Sequence, residues 1–107
     1  MKFEKTFGET VKILRKKKQL PLREVAEALE IDTSMLGKIE RNHRKPSKEL
    51  IRKFALFYQV CDKDLMIAFL SDTVAYHLID DNGLSSKVLK VAERKVKYLK
   101  NKELLDQ

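Results

Sequence analysis

The 107-residue chain has a single cysteine, Cys61, so no intramolecular disulfide and no Cys-x-x-Cys motif is possible. A lone thiol fits a reducing compartment, which points to the cytoplasm. His43 and His77 are isolated from each other and from Cys61 at no metal-ligand spacing, so neither metal nor cofactor is expected. With only three glycines and two prolines there is no glycine-rich phosphate loop, no serine elbow and little room for long loops. These absences argue against an enzyme, and no small-molecule site is evident. No apolar run approaches the ~20 residues of a membrane span. The N-terminal MKFEKTFGETVK lacks a signal-peptide core.

Valine and isoleucine recur at helical rather than alternating spacing, which predicts an all-α fold. The most informative stretch runs from Leu22 to Arg41. Leu22, Val25, Ala26 and Leu29 form one apolar face, and Leu36 and Ile39 form another after a break at Glu30-Ile31-Asp32. Asp32 sits where its carboxylate can accept first-turn N–H bonds and start the second helix. Helices are expected near 4–18, 22–29, 33–41 and 48–59. Phe7, Val11 and Leu14 face inward from the first, and Leu50, Ile51, Phe54, Ala55 and Phe57 from the fourth. Ser47 is the expected cap of that fourth helix, and Asp62 that of a fifth. The fifth segment, DKDLMIAFLSDTVAYHLI, is apolar on more than one side, and its pattern leaves its end open.

Positive charge is unevenly placed. Residues 1–60 hold 15 Lys/Arg against 8 Asp/Glu, whereas residues 61–107 hold 8 against 8. The excess lies in the half that carries the paired helices, where it would gain affinity for phosphates by counterion release. Runs such as Arg15-Lys16-Lys17-Lys18 also suit a helix C-terminus, so that run alone does not decide for nucleic acid.

From about Phe7 to Val60 the chain resembles the lambda repressor/Cro (Xre-type) DNA-binding domain. The resemblance rests on Leu14-Arg15, on Glu24-Val25-Ala26 with Leu29, on Leu36 with Ile39-Glu40-Arg41, and on Arg44-Lys45-Pro46-Ser47 leading into Leu50. It implies a five-helix DNA-binding domain, with its helix-turn-helix made by the second and third helices and double-stranded DNA as partner. Three positions depart from the family. Leu22 stands where many relatives have a phosphate-bracing glutamine, with Arg23 the candidate substitute. Glu30 and Asn42 replace turn glycines, which implies left-handed backbone at non-glycine residues. The resemblance places Thr33, Ser34, Gly37 and Lys38 toward base edges, with Lys38 the strongest reader because an ammonium can donate to guanine O6 and N7. It places Arg23, Arg41, His43, Arg44, Lys45 and Lys48 against the sugar-phosphate backbone. Arg15 and Glu40 are implied as a structural pair behind the third helix.

Residues 1–70 are thus expected to form the DNA-binding domain and residues 71–107 a C-terminal helical extension. Asp80-Asp81-Asn82-Gly83 is a turn signal. Ser85 or Ser86 caps a helix over about 86–104, in which Leu89, Ala92, Val96 and Leu99 form an apolar seam beside Val88. The seam either folds back on its own chain or joins two copies. A homodimer is the expectation, because family members read two half-sites at fixed separation. The size resembles controllers of restriction-modification and phage-defence operons. The alternative is an antitoxin-like protein whose C-terminal helices mask a partner.

Overall fold

The computed structural model describes residues 1–106, with side chains as far as residue 104. The described residues form six helices: α1 (Phe7–Lys17), α2 (Leu22–Leu29), α3 (Thr33–Glu40), α4 (Lys48–Tyr58), α5 (Asp62–Leu78) and α6 (Ser85–Asp106). Among the described residues there is no strand, so the fold is all-α.

The scarcity of glycine shapes how the first four helices end. Gln19, Glu30, Asn42 and Gln59 all adopt left-handed backbone, with φ of 56, 59, 62 and 56°. After each, the next N–H reaches back to a carbonyl five residues earlier: Leu20 to Arg15, Ile31 to Ala26, His43 to Lys38 and Val60 to Ala55. This closes the orphan carbonyls of a helix end as a Schellman turn does. Leu20, Ile31 and Val60 then pack against the core, and that apolar contact supports a backbone that L residues otherwise resist.

Starts are set differently. Thr6 and Glu9 form a reciprocal capping box, so α1 begins at Phe7 and not near residue 4 as its sequence pattern predicts. Ser47 Oγ accepts from Leu50 N at 3.1 Å and starts α4 as expected. Asp32 is in the N-cap position of α3, yet its side chain makes no cap bond. Asp62 is the first residue of α5 and not a residue before it, and α5 continues through Ser71-Asp72-Thr73 to Leu78.

Two compact units, Met1–Thr73 and Val74–Gln107, divide inside α5. In the first, α1 and α2 pack on α3, and both also meet α4. Val11, Val25, Leu36, Ile51, Phe54 and Leu65 are fully buried at the centre. Phe7 meets Phe54 and Phe69 edge to face, with ring centroids 5.7 and 6.0 Å apart. Phe57, expected inside, is only partly buried against this cluster. In the second unit α5 ends at a turn with Gly83 at φ 86°, and α6 follows with no buried side chain among those described.

Candidate nucleic-acid interface

The paired helices are α2 and α3, joined through left-handed Glu30 and extended Asp32. Leu36, Ile39 and Glu40 bury one side of α3, which turns Thr33, Ser34 and Lys38 to the exposed side. Gly37 lies in the middle of that exposed side but is itself buried. The Arg41 guanidinium covers it, with Nη1 3.3 Å from where a Cβ would stand. The four expected base-facing residues therefore share one helix face, with Arg41 folded over its centre.

Behind α3 lies the Arg15–Glu40 pair. Arg15 Nε donates to Glu40 Oε2 at 2.8 Å and Nη2 to Oε1 at 3.0 Å, while Nη1 donates to the Leu20 carbonyl at 2.9 Å. A two-point, buried guanidinium–carboxylate bond fixes orientation as well as distance, so α3 cannot roll about its axis without stranding a charge. The bond to Glu40 also raises the Arg15 pKa. The Tyr58 hydroxyl is buried without a hydrogen-bond partner, and burial pushes its pKa well up.

A second brace holds the far end of α3. Asn42, the left-handed residue after the helix, accepts from Gly8 N at 3.2 Å and donates to Thr6 Oγ1 at 2.8 Å. Gly8 makes room for this contact: a Cβ there would collide with the Ile39 carbonyl oxygen and stand 2.6 Å from Asn42 Oδ1. Asp72 of α5 accepts from Phe7 N at 2.7 Å, and Thr6 Oγ1 accepts from Glu9 N. The first amides of α1 are thus satisfied from its own cap, from the end of α3 and from α5. Desolvation raises the Asp72 pKa despite the Phe7 N–H bond.

Arg23, Arg41, His43, Arg44, Lys45 and Lys48 are all exposed, on α2, at the end of α3, in the loop after it and at the start of α4. Pro21 precedes α2 and supplies no side-chain cap, leaving first-turn amides of α2 open to an anion. Leu22, in place of a polar brace, is partly buried in the core.

Gly8, Asp72 and the side-chain role of Asn42 are not legible in the sequence. Only the Thr6–Glu9 box left a local signature, Ser/Thr followed three residues later by Glu. The links from Asn42 and Asp72 to α1 span 34 and 65 residues and have no sequence signal.

The sequence profile of the helix-turn-helix family HTH_3 matches residues 11–64, just over half of the chain. The match spans most of α1, all of α2 to α4 and the start of α5. No curated protein and no solved structure gives a significant match.

Proposed function

The chain belongs to the helix-turn-helix family HTH_3 and is a lambda repressor/Cro-like DNA-binding regulator of transcription; on that premise we propose that it acts as a homodimer on an inverted-repeat operator. The observation that carries the reading is the exposed face of α3, which presents Thr33, Ser34 and Lys38 on a helix braced from behind by Arg15–Glu40. Lys38 donates to a guanine edge, and Thr33 and Ser34 read neighbouring bases. Arg23, Arg41, His43, Arg44, Lys45 and Lys48 hold phosphates and fix the register without reading sequence.

Dimerisation belongs to the C-terminal unit. Leu89, Val96 and Leu99 stand 47, 50 and 58% exposed, and Ala92 is exposed with them, an apolar strip that a second copy would cover. A two-fold dimer presents its recognition helices to half-sites whose centres lie about 10 base pairs apart, or a multiple of this. The operator lies in the protein's own promoter, where its concentration is the simplest control variable, and the regulated genes are a restriction-modification or phage-defence set. Footprinting on the upstream region tests the proposal. Protection with dyad symmetry is expected; protection without it removes the dimeric geometry, and no protection there removes autoregulation. Stable co-purification of the chain with a neighbouring gene product, in place of self-association, would favour the antitoxin-like alternative.

A further inference from the structure

Residues 61–107 carry no net charge, but the balance conceals a segregation. Residues 62–81 hold five aspartates against Lys63, while Ser85–Asp106 holds seven Lys/Arg against three carboxylates. On α6 the cations are ordered. Lys87, Lys90, Arg94 and Lys97 follow at steps of three, four and three, which puts them on one side, roughly opposite the Leu89-Ala92-Val96-Leu99 seam. Asn101 continues the row. Neither Glu93 nor Glu103 falls in it: Glu93 flanks the row, and Glu103 lies in line with the seam. All four cations are exposed, and among the described residues none makes an ion pair.

Such a row works against the helix that carries it. Each helical neighbour within the row, at three or four residues, is a like charge, and like pairs at this spacing destabilise a helix. Glu93 offsets part of this, standing three residues after Lys90 and four before Lys97, but Lys87 and Arg94 have no carboxylate at either spacing. The countercharge fits better as something supplied from outside. From Lys87 to Lys97 the helix rises about 15 Å, and one strand of duplex DNA presents roughly four phosphates over the same axial length.

We infer that the Lys87-Lys90-Arg94-Lys97 row is a second phosphate-binding surface, which lays α6 against the backbone of duplex DNA and adds sequence-independent affinity to that of the helix-turn-helix. This rests on the DNA-binding reading above. An anionic membrane is the less suitable occupant: lying on lipid would bury the Leu89-Ala92-Val96-Leu99 seam, which the dimer reading gives to a second copy, whereas duplex DNA needs only the cationic side. The row and the seam occupy different sides of α6, so a second copy and DNA can be held together.

The test uses the full chain and a random-sequence duplex in a salt series. Replacing Lys87, Lys90, Arg94 and Lys97 together by Gln keeps helix propensity and the seam. The slope of log K against log salt is expected to fall by roughly 3 to 4 per bound chain, with helix content by circular dichroism unchanged. The pairs K87Q/K90Q and R94Q/K97Q, each expected to lose about half of that, replace the quadruple variant if it loses helix. An unchanged slope overturns the α6 surface and leaves DNA binding by the helix-turn-helix standing. Wild-type protein that binds no duplex overturns both. Binding to phosphatidylserine vesicles that the quadruple variant loses, with the DNA slope unchanged, overturns the inference in favour of lipid.

Discussion

Two glycines of similar appearance in the sequence have opposite structural roles. At Gly8 a Cβ meets backbone, the Ile39 carbonyl oxygen and the Glu40 carbonyl oxygen at 2.8 Å, so α1 would have to retract from the end of α3. Gly8→Ala is expected to lose about 1–3 kcal/mol by overpacking. At Gly37 the new methyl meets only the movable end of Arg41. Gly37→Ala is expected to fold normally, with up to ~1 kcal/mol gained in helix propensity, while binding DNA more weakly because the methyl and the displaced Arg41 crowd the reading face. Urea unfolding of the two variants checks the contrast, and a wild-type midpoint for Gly8→Ala removes the close-approach argument. On the same face, Lys38→Ala should lose about 1–3 kcal/mol of discrimination between operator and random DNA. Arg44→Ala should weaken both alike and lower the salt slope by about 0.9 per bound chain. Equal losses on both DNAs for Lys38→Ala would reassign it to the backbone.

At the scale of elements, the helix-turn-helix was legible because it is built from local periodicity. Leu22–Leu29 and Thr33–Glu40 fall where the apolar spacing puts them, and the left-handed residues Glu30 and Asn42 follow from the missing glycines. Gln19 and Gln59 were not legible, because glutamine carries no turn signal and the apolar residue after it secures the turn. The junction of α1, α3 and α5 was hidden for another reason: its partners meet only in the folded chain. Asp72 is its most testable member. Burial raises its folded pKa above the ordinary aspartate value, so the folded state holds the proton more tightly than the unfolded chain. Its contribution to stability therefore falls as pH rises from about 4 through that raised value. Asp72→Asn keeps an oxygen for Phe7 N and removes the desolvated charge, so the variant should equal or exceed wild type at pH 7. Asp72→Ala strands that amide and should lose about 1 kcal/mol, as loss of a helix cap does. Glu9 is held below its usual range by its bonds to Thr6 and acts in all three proteins, so differences between them isolate Asp72. Denaturant midpoints across pH 4–7 decide. If Asp72→Asn falls as far as Asp72→Ala, the attraction between the carboxylate and the α1 N-terminus outweighs the burial penalty.

For the whole molecule, charge and apolar surface suggest a division of labour between the units. The first unit buries its apolar residues around Phe54 and presents polar and basic side chains on α3 and in the loop after it. The second leaves Leu89, Val96 and Leu99 about half exposed on a helix with no buried side chain among those described. A single helix-turn-helix gains little from one half-site, because few base contacts set its specificity. Joining two copies makes the second half-site contact intramolecular, and such linkage raises affinity by roughly 100- to 10,000-fold without any new contact. L89E/V96E places like charges in the seam of both copies and should yield a monomer with the α3 face intact. In sedimentation, wild type is expected as a dimer and the variant as a monomer. On an inverted-repeat operator the variant should then lose affinity on the scale of that linkage, while its affinity for a single half-site falls far less, by no more than two added carboxylates on α6 cost. A variant that remains dimeric would move the interface elsewhere, and equal losses on both DNAs would mean that the substitutions had disturbed the reading unit instead of the joint between copies.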